Sequence, residues 1–239
     1  MSNKYFALLL AVPILAFLGW LYFDSRAAEV HAAGERRDLL TDGATGATAD
    51  IRYLFQFADP VYSHALGTHE IEELAKKVGG ENYHVYGLTD GNYKMDAEFH
   101  VNDSKAWFKS EYTVWVENVQ VEFSFTKVNV YVTSAYPEGS CEYQVTLDHE
   151  NEHVAIHRRI YTQYQKILQD AVAASKDIPL ASHPVTAVSL EEGKDRVGKM
   201  VSAVVDPVFD RFRDELEAEQ AKIDTPENYR GLNQRCQHW

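Results

Sequence analysis

Cysteine, glycine and proline are all scarce here: 2, 13 and 7 residues respectively in a chain of 239. So little glycine and proline excludes collagen-like and low-complexity chains, and two cysteines cannot staple a miniature disulfide scaffold. Positive charge is short as well, with 23 Lys and Arg against 36 Asp and Glu and a formal net charge of −13. That deficit argues against a nucleic acid or an anionic lipid surface as the charged partner. The remainder, 45% hydrophobic and 12% aromatic, is the composition of one folded domain of ordinary size.

Charge is absent altogether from Tyr5 to Phe23, the one long apolar run. Its 19 residues match the length of a membrane-spanning helix, whereas the apolar part of a cleaved signal is about 7–15 residues. We therefore expect residues 1–23 to be an N-terminal membrane anchor. Ser25-Arg26-Ala27 has the small-x-small pattern of a signal peptidase site, so secretion after cleavage stays open as the alternative. Lys4 on the short side places the N-terminus in the cytoplasm and the domain in the periplasm or outside the cell. Residues 24–50, rich in Ala, Gly, Thr and Asp, read as a tether to a domain spanning 51–239. In an oxidising compartment the even pair Cys141 and Cys236 is expected to form a disulfide.

Within that domain the hydrophobic period changes. Residues 51–58 read as a strand and 69–78 as a helix stopped by Gly79-Gly80. From about 84 to 136 the chain alternates apolar and polar residues rich in Val, Tyr, Phe, Trp and Thr, punctuated at Thr89-Asp90-Gly91, Asn102-Asp103 and Asn118. That pattern predicts an antiparallel β meander of four or five strands. Beyond Pro137-Glu138-Gly139 the period becomes 3.6, predicting one helix over about 145–174 and a second, antiparallel to it, over about 190–222. The expected fold class is α+β.

The first of these helices carries His149-Glu150-Asn151-Glu152-His153, an HExxH sequence. Imidazoles at i and i+4 share a helix face, so both can direct a nitrogen at one Zn²⁺, and the glutamate between them can reach a water on the ion. The stripe continues through Ile156, Ile160, Tyr164, Ile167 and Ala171, which turns both imidazoles toward the fold. At these residues the chain resembles the zincin metallopeptidases, of gluzincin-like type, in which a mixed sheet precedes an HExxH helix and a later helix returns alongside. It also bears a likeness to a bacterial group of exported zinc proteases of unknown function. The zincin resemblance implies His149 and His153 as zinc ligands, Glu150 as general base, and hydrolysis of a peptide or protein substrate.

Catalytic zinc takes three protein ligands and a water. His157 lies eight residues from His149 along an unbroken helix, about 12 Å away, and no glycine follows His153 to turn the chain. Glu191 and Glu192 suit the dipole at the start of the second helix. Continuing the apolar stripe Val197, Val201, Val204, Val208 and Phe212 leads to Glu215 and then Glu219, with Asp206, Asp210 and Asp214 on the other side. A carboxylate on the buried face needs a compensating cation, so Glu215 is the expected third ligand, with Glu219 and Asp224 as alternatives. Tyr136, Tyr143 and Tyr229 are candidate oxyanion donors. Asp148 is expected either to cap the helix or to orient an imidazole. Two other functions fit the same residues, a zinc-binding envelope module without turnover and an interaction protein that pairs through an edge strand.

Overall fold

The protein is described by a computed structural model over residues 40–41, 48–77 and 85–236. The expected anchor lies outside the described residues, and no described helix is long and apolar enough to cross a membrane. The described residues belong to one compact unit. In chain order its elements are β1 (Leu40–Thr41), β2 (Thr48–Phe57), β3 (Val61–Ser63), α1 (Thr68–Lys77), β4 (Gly87–Ser104), β5 (Tyr112–Val132), α2 (Cys141–Ala174), β6 (Val185–Ala187), α3 (Leu190–Ala221) and α4 (Pro226–Asn233). β1 and the start of β2 fall within the stretch expected to be a tether, so the folded domain begins earlier than residue 51.

One six-stranded mixed sheet is built around β5, and the antiparallel meander predicted from the sequence does not form. β4 runs antiparallel to β5 over nearly its whole length, and β6 pairs antiparallel with its first residues. β2 and β3 instead lie parallel to β5. None of the three punctuation signals is a turn, and Asn102 and Asp103 pair with Trp115 and Val114 inside the sheet. His100 pairs with Asn118 and Val101 with Val116, so Glu117 bulges out and the strand continues past Asn118. Thr89, Asp90 and Gly91 all sit inside β4. There a Cβ on Gly91 would stand 2.9 Å from Cε1 of His157, so the glycine marks a close approach to the next layer.

The sheet buries one face. Along β4, Asn92, Lys94, Asp96, Glu98 and His100 point to solvent, while Tyr93, Met95, Ala97, Phe99 and Val101 alternate toward the helices. Opposite them α2 and α3 lay their apolar stripes, and the layers meet around Phe123, Phe125 and Phe212. Phe212 packs edge-on against Phe123, Tyr93 and Tyr164, with centroids 4.9, 5.1 and 5.5 Å away.

The start of α2 is fixed three ways. Gly139 adopts φ 81°, which a side chain would resist, and Ser140 accepts a hydrogen bond from the Tyr143 backbone N–H. The expected disulfide is present, joining Cys141 at the first residue of α2 to Cys236 beyond α4 across 95 residues. Asp148, two turns inside the helix, therefore does not cap it, and its carboxylate accepts from Gln144 instead.

Candidate metal centre

His149 and His153 both face inward from α2 and are buried. The turn between α3 and α4 brings Asp224 up to them. Nε2 of His149 stands 3.2 Å and Nε2 of His153 3.1 Å from the same carboxylate oxygen, Oδ1 of Asp224, and the two Nε2 atoms are 3.3 Å apart.

The hydrogen bonds around His153 show what this triangle is suited to. Gln220 donates from Nε2 to the His153 carbonyl, which turns its amide oxygen toward Nδ1 of the ring. Nδ1 then carries the proton, and in the neutral imidazole Nε2 presents a lone pair. Two ring nitrogens and a carboxylate oxygen converge within van der Waals distance, an arrangement that a shared proton or a bound cation relieves. Burial opposes charge on His153. The Asp224 hydrogen bond and the charges of Glu150 and Asp224 outweigh it, and the pKa rises to about 9. For Asp224 burial also favours the neutral form, but its bonds with His149 and His153, the His153 charge and the Tyr229 hydroxyl hold it well below the usual carboxylate range. In the ion-free chain this contact stabilises the fold up to pH 6.5 and is lost as pH rises through about 9. The Asp224 share is present above its ordinary pKa and is lost as pH falls below it.

Glu150 lies between the two histidines in sequence and points into the same region. Its Oε2 accepts a 2.8 Å bond from the Thr89 hydroxyl on β4. Burial raises its pKa, against the lowering effect of both imidazoles and of Thr89. A Cβ at Gly87 would stand 2.5 Å from its Oε1, so this residue of β4 has room for no side chain. Beside these groups opens a cavity of about 420 Å³. Val85, Val145, Pro226 and Leu232 make its apolar lining, and His149, Glu150, Asp224 and Tyr229 face it.

The other expected residues are elsewhere. Glu215 accepts from the Tyr164 hydroxyl at 2.7 Å and from Gln163, three turns along α2 from the histidines. Glu219 pairs with Arg159 and Lys222. Asp224 is the carboxylate that meets the imidazoles, which corrects the choice of Glu215. Two facts explain the difference. The buried stripe of α3 ends Val205, Val208, Phe212, Leu216, leaving Glu215 at its margin. With Tyr164 opposite Glu215, the end of α2 falls opposite roughly residue 204, by the common rise of 1.5 Å. The first turns of α3 thus overhang α2 and pack on the sheet, with Gly193 against Val114 and Gly198 against Phe99. Glu191 and Glu192 lie at that far end.

His157 packs its ring on Phe125 with Nδ1 unpaired, and burial, aided by the His153 charge, pushes it down to about 4. It is a neutral core residue. Among the candidate donors, Tyr136 packs at a tilt against Tyr86 and Tyr143 meets His64 edge-on. Tyr229 donates to Oδ1 of Asp224 at 2.8 Å and lays its ring against His149. Thr89, Gly87 and Gln220 were not anticipated. Glycines inside a strand pattern were a usable sign of close approach for Gly87, whereas Gln220 had none.

No family model, curated protein or solved structure matches this chain.

Proposed function

We propose that the domain is a zinc-dependent peptidase whose ion is held by His149, His153 and Asp224. The observation that carries this reading is the triangle of donor atoms, 3.1–3.3 Å on a side. Three ligands on a tetrahedral ion at 2.0–2.1 Å stand about 3.3–3.4 Å from one another. Nitrogen, nitrogen and carboxylate oxygen form a donor set that zinc accepts, with a fourth position left for water. Bound there, zinc would acidify a water and polarise a carbonyl.

The chain's own residues supply the rest. Glu150 is the base that takes the proton of the attacking water and hands it to the leaving amine, and its raised pKa suits both transfers. Thr89 aims that carboxylate. Tyr229 spends its hydroxyl proton on Asp224 and so braces the third ligand. The apolar lining favours peptides with a large hydrophobic residue beside the cleaved bond. A cavity lined by His149, Glu150 and Asp224 is what favours turnover over a purely structural ion. The disulfide supports an exported domain.

The test is elemental analysis of chain purified without chelator, together with cleavage of a peptide library. Close to one zinc per chain and chelator-sensitive cleavage beside hydrophobic residues are expected. Zinc far below one per chain refutes the proposal. Gly87→Ala supplies a finer check: its methyl displaces the Glu150 carboxylate, so cleavage should fall at least about tenfold with zinc retained. Full activity in that variant removes Glu150 from the base role.

A further inference from the structure

Three of the large apolar side chains exposed among the described residues gather at one end of the sheet. Trp107 and Phe108, 93% and 69% exposed, form the turn between β4 and β5 and touch edge-to-face at 5.6 Å. Val188, 74% exposed, follows Ala187, which pairs with Tyr112 at the foot of the same hairpin. Lys105 and Lys109 flank the aromatic pair, with the Lys105 ammonium 4.3 Å from the centre of the Tyr112 ring. Amphipathic aromatic rings next to long cationic stems are the side chains that settle at the boundary between lipid headgroups and acyl chains.

The chain outside the structure identifies the occupant. β2 runs parallel to β5 with Asp50 opposite Asn118, six residues along β5 from Tyr112 and so about 20 Å from the foot of the hairpin. Leu40 lies beside Ala49, so β1 sits level with the start of β2, in the half of β5 nearer the hairpin. Between Leu40 and the uncharged run 5–23 are 16 residues, which reach at most about 55 Å. A bilayer holding that run is within range of the tip, and tethering raises the local concentration enough for a small apolar patch to engage.

We propose that Trp107 and Phe108 insert into the interfacial layer of the bilayer that holds residues 5–23, standing the domain on its β4–β5 tip. Asp103 and Glu111 balance the two lysines, so the contact is driven by ring burial and needs no anionic lipid. Thr89, beside Glu150, lies 15 residues along β4 from Ser104, so the candidate metal centre stands roughly 50 Å from the tip.

The full chain reconstituted into phosphatidylcholine vesicles tests this, with lipids plain or brominated at shallow or deep acyl positions. The emission that Trp107→Phe removes isolates Trp107 from the other tryptophans. That component should be quenched at least about twofold by shallow bromines and less by deep ones, as for an interfacial ring. Equal emission in plain and brominated lipid, quenching by aqueous iodide, or failure of the chain to enter vesicles would each overturn the proposal. Pairing of the tip with a second copy would also overturn it, through Trp107 emission that varies with protein density and not with bromine. None of these readouts involves zinc, so the proposal stands or falls independently of the peptidase assignment.

Discussion

Asp224→Ala is expected to reduce zinc affinity at least about 100-fold, since it removes one ligand from a site whose full set is worth on the order of 10 kcal/mol. Glu215→Ala is the matched control. Its carboxylate is held by Tyr164 and Gln163, so zinc content should stay at the wild-type level. The loss there is structural, about 1–3 kcal/mol for leaving the Tyr164 hydroxyl without its partner, and a melting curve reads it. The two variants thus separate a ligand from a carboxylate that holds helices together. Below pH 9 the ion-free centre holds a proton on His153, so zinc uptake at neutral pH should also release acid, and Asp224→Ala should diminish that release. An Asp224→Ala chain that holds zinc as tightly as wild type would sink the ligand assignment.

Glu150→Gln should have the larger effect on chemistry and almost none on the ion. An amide fits the space bounded by Gly87, and its oxygen still accepts from Thr89, so neither fold nor metal content should change. It cannot take a proton. Peptide cleavage is therefore expected to fall about 10²–10⁴-fold, with kcat carrying most of the loss because the cavity that binds the peptide is intact. Retained cleavage would transfer the base role to another group. Lost zinc would instead make Glu150 part of the ion's own shell.

Both long helices were legible from the 3.6-residue period because each lays a continuous apolar stripe on the one buried face of the sheet, and their observed bounds differ from expectation by at most four residues. The sheet was less so. Alternation signals a half-buried strand but not its partner, and nothing local tells β2 and β3 to lie parallel to β5. A bulge at Glu117 and a tight approach at Gly91 use the residues that elsewhere make turns. At the candidate metal centre the two imidazoles followed from helix geometry alone. Asp224 comes from a turn, and its place depends on how far α3 overhangs α2, which β6 and its connections set. A helical stripe has no knowledge of that offset, so counting turns from the helix ends stopped about two and a half turns short.

The disulfide ties together the two chain segments that make up the centre. Cys141 opens the helix that presents His149 and His153, while Cys236 closes the segment that presents Asp224 and Tyr229. Two donors of the triangle need only a formed helix; the third depends on the tail being brought back to it. While the thiols remain reduced that return has no covalent support, and the ion loses part of the preorganisation of its third ligand. On the proposed zinc reading, a chain with its thiols reduced would hold the ion less tightly than the same chain with Cys141 and Cys236 joined.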